Sequence, residues 1–362
     1  MTLTIFILAL LGQRSTLSER LVLRETLGVD RMRGLRRIAR NIVLVVFLIY
    51  LIGAAAIFWR INGLDDMGFS ESVWQSLFLS VSAFNNAGFS ILPELPTGSG
   101  LLRVASDKVL LTVLATLIIL GGIGWTTLVD LYRHRRFSRL ALDTKLVITT
   151  GIFLWLAGAA VLFSVEYTKP GLTPELSLPD RLINSVFHSV SARTAGFSTL
   201  DFSTAQDVTK LTYAGLMFIG GATGSVAGGI KVNALAVLIA AVISSVKGRP
   251  QAEAFGREIA QPQLLRAIAV AILGFLLIIL ALTALSLTDP DLDFLHLLFD
   301  TASAFGTAGI STGIVPEMSV AGKAILMVVM FIGRLGPLTL ALALAPQEHT
   351  AYRFVQERIT IG

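Results

Sequence analysis

The sequence predicts an all-α polytopic membrane protein made of repeated units, and three observations predict it. Apolar residues make up 54% of the 362 residues and charged ones only 15%, too little charge for an ordinary soluble domain. Uncharged stretches occupy 41–59, 109–129, 146–165, 211–230 and 267–288, and a sixth, 324–345, is broken only by Arg334. Each is close to the roughly 20 residues that cross a hydrocarbon core. Finally, three short polar segments interrupt this background in nearly the same words: "SAFNNAGFS" at 82–90, "SVSARTAGFST" at 189–199 and "TASAFGTAGIST" at 301–312.

The elements follow in order. "MTLTIFILALLGQR" offers about a dozen uncharged residues before Arg14, too few to span alone. With the arginine-rich 14–40 it reads as the end of a helix and a cytoplasmic linker, residues 1–38. A unit then recurs three times: long helix, short helix, polar loop, long helix. Its starts lie near Asn41, Leu146 and Ala267. The short helices are "ESVWQSLFLSVSAF", "DRLINSVFHSVSAR" and "DFLHLLFDTASAF", and the loop glycines Gly88, Gly196 and Gly309 stand 108 and 113 residues apart. The units occupy 39–140, 141–262 and 263–362.

Charge sets the orientation. Arginine crowds 14–40, returns in "YRHRRFSR" at 132–139 and joins lysine in 247–266, whereas the alternate connections carry Asp65, Asp66 and Glu71, or Glu166, Glu175 and Asp180, or Asp289, Asp291 and Asp293. Basic loops stay in the cytoplasm, so every second loop is inside. The basic excess therefore reports topology and anionic lipid rather than nucleic acid. The chain has no cysteine, which excludes disulfides, thiolate metal sites and cysteine nucleophiles. It has no HExxH, GxSxG or Walker loop, and no catalytic pair is evident in the spans, so an enzyme is not expected.

A short helix that enters the bilayer and returns as irregular backbone must be buried or line a watery cavity, because unpaired peptide groups are costly in lipid. Three such loops at repeated positions meet most economically around one axis. The short helix presents its carbonyl end to the loop, and the partial negative charge there favours a cation. "NNAGF", "RTAGF" and "GTAGI" share Ala-Gly before a bulky apolar residue. Glycine admits backbone angles closed to other residues, and rings of backbone carbonyls can replace an ion's hydration shell. The candidate filter residues are Asn86, Ala87 and Gly88; Thr194, Ala195 and Gly196; and Thr307, Ala308 and Gly309.

Other residues attract attention singly. Gly220, Gly221, Gly224, Gly228 and Gly229 fall inside one spanning stretch, and at ~1 kcal/mol each relative to alanine they argue against continuous helix there. Lys231 either holds that segment or snorkels. Arg334, in an apolar helix, should face protein or water, and reads as a positive charge below the filter. Arg193 and Asp300 suggest an ionic brace between neighbouring short helices. His188 and His296 lack partners at metal-ligand spacing and read as locally hydrogen-bonded packing residues. "GGIG" at 121–124 reads as helix packing or a kink.

The three loops resemble the filter loops of the Trk/Ktr/HKT potassium transporter superfamily, most closely its bacterial KtrB-type membrane subunits. "GGATGSVAGGIKVN" at 220–233 is similar to that family's intramembrane gate loop, and "FIGRLGPLT" at 331–339 to its last helix with its arginine; "GGIGW" and the terminal "RITIG" also fit. The resemblance covers essentially the whole chain. It implies potassium uptake through a carbonyl-lined filter around a central pathway, gated by Gly220, Gly221, Gly224, Gly228, Gly229, Lys231 and Arg334. It implies K+ as substrate, with Na+ as the second candidate ion, and no bound cofactor. Its partners would be a second copy of the chain, a cytosolic nucleotide-binding regulatory ring of KtrA/TrkA type and membrane lipid, in the cell membrane. The family has four repeats, and the three here match its second to fourth, so the alternative is a truncated, non-conducting scaffold or assembly fragment.

Overall fold

The computed structural model describes residues 35–62, 67–92, 101, 104–166 and 176–336. The amino-terminal linker and Pro337 onward, with "RITIG", lie outside the described residues, as do Asp65, Asp66 and Glu175. Eleven α-helices are described. The first unit holds α1 (Leu35–Ile61), the short α2 (Phe69–Phe84), α3 (Lys108–Gly122) and α4 (Trp125–Arg133). The second holds α5 (Leu142–Val165), the short α6 (Leu178–Ser191), α7 (Asp207–Phe218) and α8 (Val232–Val246). A two-residue hairpin, β1 (Glu253–Ala254) with β2 (Arg257–Glu258), leads to the third: α9 (Gln261–Thr288), the short α10 (Phe294–Gly306) and α11 (Val320–Leu335).

By length and composition, Arg40–Ile61, Leu142–Val165 and Gln261–Thr288 can each cross a membrane. The outward faces fit lipid: Leu44, Phe47, Ile52, Phe153, Leu156, Phe275 and Leu280 are all exposed, as expected where the solvent is hydrocarbon. The expected single span over 109–129 is instead two helices bent by 99°. The break falls at "GGIG", where Gly124 takes φ +78°, a region open to glycine. The kink reading holds, and the span is corrected.

The sequence also dictates the helix ends. Asp107 caps α3 by accepting from Val109 N and Leu110 N at 3.1 and 3.0 Å, and Asp293 caps α10 through Leu295 N and His296 N. Each carboxylate satisfies orphan donors of a first turn. Asp107 also pairs with Arg60 at 2.8 Å, tying the end of α1 to the start of α3.

The repeat extends to individual contacts. Ser80 Oγ of α2 donates to Tyr50 O of α1, and Ser189 Oγ of α6 donates to Trp155 O of α5. Three residues beyond each acceptor stands a glycine, Gly53 or Gly158, with no room for a Cβ against the same serine. The short helices α2 and α6 thereby seat against their long helices at one register. Each also packs against the preceding unit, α6 on α3 and α10 on α7. At one end of the bundle the ring of Phe137, in the α4–α5 connection, meets that of Phe255, at the hairpin tip, with centroids 5.7 Å apart. The basic segments 132–139 and 247–266 therefore share one face, and Arg60, Asp107, Asp180 and Asp289 lie at helix ends on the other.

Candidate functional site

The site is built where the three short helices end. Asn86, Thr194 and Thr307 all take left-handed backbone angles, φ +50°, +70° and +51°; two residues on, Gly88, Gly196 and Gly309 do so again at +74°, +84° and +85°. The alanine between carries negative φ. Alternating signs turn successive peptide carbonyls to one side, the arrangement a carbonyl cage requires. A β-branched residue in this region is an outlier, and two threonines hold it at equivalent positions. Such strain of order 1 kcal/mol persists only where the surroundings over-determine it.

Helix-capping bonds impose the conformation. Asn86 N donates to Ala83 O and Ala87 N to Ser82 O; Thr307 N donates to Ala304 O and Ala308 N to Ser303 O. This is the paired C-terminal closure in which the residue past the helix goes left-handed. The middle loop has one residue fewer between its serine and its glycine, and Ala195 N reaches back only four residues, to Ser191 O. The closing serines then tie the strand beyond: Ser82 Oγ donates to Phe89 O and Ser191 Oγ to Phe197 O.

The loops meet one another. A Cβ on Gly88 would lie 2.6 Å from Ala195 O and 2.7 Å from Gly196 Cα, and one on Gly196 would overlap Ala308 O. A Cβ on Gly309 would meet nothing within 4 Å. All nine candidate filter residues thus lie along one arc, first loop to second to third. Ala195 and Phe197 sit in the hydrophobic core of the first unit, with Leu79, Leu111 and Leu114, and Ala308 and Ile310 in that of the second, with Tyr213 and Phe299. The bulky residue after each of these glycines therefore anchors its loop in its neighbour, whereas Phe89 is exposed.

Two polar clamps, unforeseen as a pair, hold the third residue past the filter glycine. His188 Nε2 lies 2.7 Å from Thr199 Oγ1, and Asp300 Oδ2 accepts from Thr312 Oγ1 at 2.6 Å and from Thr312 N. Aligned on their glycines and closing serines, the two clamps are equivalent, and the first loop has Leu79 and Ile91 there. Repeating Thr199 and Thr312 inside "FST" and "IST" was the available signal. His188 also bonds Tyr213, and His296 accepts from Lys210 Nζ at 2.7 Å, so both histidines are locally bonded. The Arg193–Asp300 brace is overturned. Asp300 is occupied by Thr312, and Arg193 Nη2 donates to Gly220 O at 2.7 Å.

Directly against these loops, on the side toward the basic face, lies the glycine-rich segment. Helix stops at Phe218, and residues 219–231 form a plug before α8 begins. Its neck closes on itself: Gly220 N donates to Ile230 O, Ile230 N to Phe218 O, and Val232 N to Gly221 O. Its tip covers the broken end of α3, where Ala222 N and Val226 N donate to the last carbonyls, Gly122 O and Gly121 O. The kink at "GGIG" thus frees acceptors for the plug. A Cβ on Gly228 would lie 2.7 Å from Gly306 O, and one on Gly220 would overlap Gly228 O. Gly224 and Gly229 have positive φ. Arg334 Nη1 reaches Val226 O and Lys231 Nζ reaches Ala227 O, each at 2.5 Å. The candidate gate residues therefore converge, with two cations holding carbonyls of the plug's tip. No cluster of His, Cys, Asp or Glu among the described residues could hold a resident metal.

Residues 1–352 match a family model described as TrkH, cation transport protein. The chain is 36% identical, over its full length and 80% of the relative's, to the Ktr system potassium uptake protein B of Bacillus subtilis (strain 168). It is 32% identical, again over all of this chain and 80% of the other, to the potassium/sodium uptake protein NtpJ of Enterococcus hirae. Among solved structures, the potassium transporter TrkH from Vibrio parahaemolyticus aligns with TM-score 0.68 at 18% identity, covering 95% of this chain and 70% of that one.

Proposed function

Because this chain belongs to the TrkH family of cation transport proteins, a family of membrane transporters rather than enzymes, we propose that it takes up potassium across the membrane through the arc of filter loops. The observation that carries this reading is the shared backbone pattern: three loops repeat the same positive, negative, positive φ sequence, and Gly88 and Gly196 each lie against the next loop. A dehydrating K+ would exchange water for carbonyls near Asn86–Gly88, Thr194–Gly196 and Thr307–Gly309. The carbonyl ends of α2, α6 and α10 add negative potential at the same place.

The plug at 219–231 serves in this reading as the gate, and Lys231 and Arg334 hold it in the pathway by its carbonyls. Residues 39–140, 141–262 and 263–362 act as the three pore repeats. The partners are a second copy of the chain and a cytosolic nucleotide-binding ring, for which the basic face carrying Phe137 and Phe255 is the docking side; the name of the Bacillus subtilis relative speaks of a system. Rubidium uptake into proteoliposomes, with sodium as competitor, tests the reading. Selective uptake that survives substitution of Gly88, Gly196 and Gly309 together would end the filter assignment.

A further inference from the structure

Arg193 is a buried charge held by an aromatic ring and a backbone carbonyl. It is 7% exposed, its guanidinium carbon lies 5.4 Å from the centroid of the Trp155 ring, and Nη2 donates to Gly220 O at 2.7 Å. No carboxylate pairs with it among the described residues, and its Nε has no partner. What stabilises the charge is the carbonyl end of α6, which stops two residues before it, together with the indole face. Arg193 is also joined directly to Thr194, the left-handed residue of the middle filter loop, and Gly220 opens the neck of the glycine-rich plug. One side chain thus bridges filter and plug.

Behind this bridge lies a cavity of about 280 Å³, walled mostly by apolar atoms from Ile119, Val147, Gly151 and Trp155 and by Gly221 and Ala222 of the plug itself. Arg193 lines it too. The plug therefore has close-packed filter loops on one side and this open-sided apolar cavity on another.

We propose that Arg193 is a positioning residue, a strut that holds the neck of the plug against the middle filter loop. The plug leaves the pathway by breaking the Arg193–Gly220 bond and moving its Gly221–Ala222 edge into the cavity. This rests on the reading of the plug as a gate. The hydrogen bond carries the effect, and the charge alone does not.

The chain has no cysteine, so Ser225→Cys supplies a single thiol at the plug's tip whose modification rate by a water-soluble reagent reports exposure of the loop. In that background Arg193→Met removes both charge and donor, and Arg193→Gln removes the charge but keeps an amide donor. A buried charge-assisted hydrogen bond lost corresponds to a rise of about tenfold or more in the rate at the introduced thiol. That rise, with faster rubidium flux, is expected for Arg193→Met, and rescue toward the parent rate for Arg193→Gln. Equal rates in the two variants, or no rise in Arg193→Met, overturn the strut. Faster thiol modification without faster flux upholds the strut and ends the gate reading instead. Should Arg193→Met not assemble, Trp155→Leu removes the ring face that aims the guanidinium at Gly220 O and so weakens that bond; an unchanged thiol modification rate there overturns the proposal as well.

Discussion

Substituting Gly88 and Gly309 separately by alanine separates two costs that the filter loops combine. Both glycines have φ well inside the left-handed region, +74° and +85°, so each alanine carries the same backbone penalty of roughly 1–2 kcal/mol. Only Gly88 has a neighbour. Its new Cβ would lie 2.6 Å from Ala195 O, about 0.7 Å inside the ~3.3 Å at which carbon and carbonyl oxygen ordinarily meet. The obstacle is backbone on a loop anchored by buried Phe197, so the two loops must part, at an overpacking cost of ~1–3 kcal/mol. A filter whose carbonyls have moved by that much discriminates less between K+ and Na+. The expected result is a fall of about tenfold in potassium preference for Gly88→Ala, equivalent to 1.4 kcal/mol, and a clearly smaller one for Gly309→Ala. Rubidium flux into proteoliposomes against graded sodium measures it, with detergent melting curves as the control for folding. If Gly309→Ala is as damaging to selectivity as Gly88→Ala, contact between loops is not what holds the filter.

Three further outcomes are expected. Deleting Ala222–Ala227 removes the tip that covers Gly121 O and Gly122 O and that Lys231 and Arg334 hold, so flux should rise with selectivity retained; a deletion protein that assembles with unchanged flux would remove the gate role. Thr199→Val strips a partner from His188 and from Asn184, whose Oδ1 accepts from Thr199 Oγ1, and should destabilise by about 1–3 kcal/mol, visible as a lower melting midpoint; an unaltered midpoint would deny the clamp any weight. Asp289, past the end of α9, is held below the usual carboxylate range chiefly by the Ser319 amide, with help from the Thr288 and Ser319 hydroxyls. The folded state thus binds its proton less readily than the unfolded chain, so its stabilisation is complete above about pH 4 and fades as pH falls through the lower folded value. Asp289→Asn should flatten that acidic limb of stability against pH, and an identical limb would refute it.

Class and repeat were legible because their signals are local. A run of 19 uncharged residues reports a spanning helix whatever surrounds it, and three Ala-Gly loops in like settings report one another. The nine candidate filter positions follow from the same repetition, and the glycine-rich segment from five glycines crowded into one would-be helix. The unreadable part was partnership. Arg193 and Asp300 were matched because an unpaired buried charge is expensive, and each lies close to a filter loop. The chain solves the problem with groups that carry no sequence signature: a backbone carbonyl at Gly220, an indole face, and the end of a helix. The bend in 109–129 was hidden for a related reason. Its carbonyls are satisfied by Ala222 N and Val226 N, about a hundred residues away, so the break is stable only in the folded whole.

The departures from symmetry are therefore the informative places. Were the three units interchangeable, every loop would close over the same number of residues and carry the same clamp. Instead the middle loop is one residue shorter and places Arg193 at its end; the outer two have Asn85 and Gly306 before their left-handed residues. Gly306 must be small there, since a Cβ would overlap Met217 O, in the helix that ends in the plug. The first loop leaves Phe89 outward, and the other two bury its counterparts. Arg193 and Gly306 both touch residues 217–231, and neither disturbs the alternation of φ. The alternating loop backbone is thus held constant across the repeats while the surrounding side chains diverge to fit one glycine-rich segment. In the proposed reading, that division matches a constant demand for K+ coordination at every loop and a single device for closing the path beneath them.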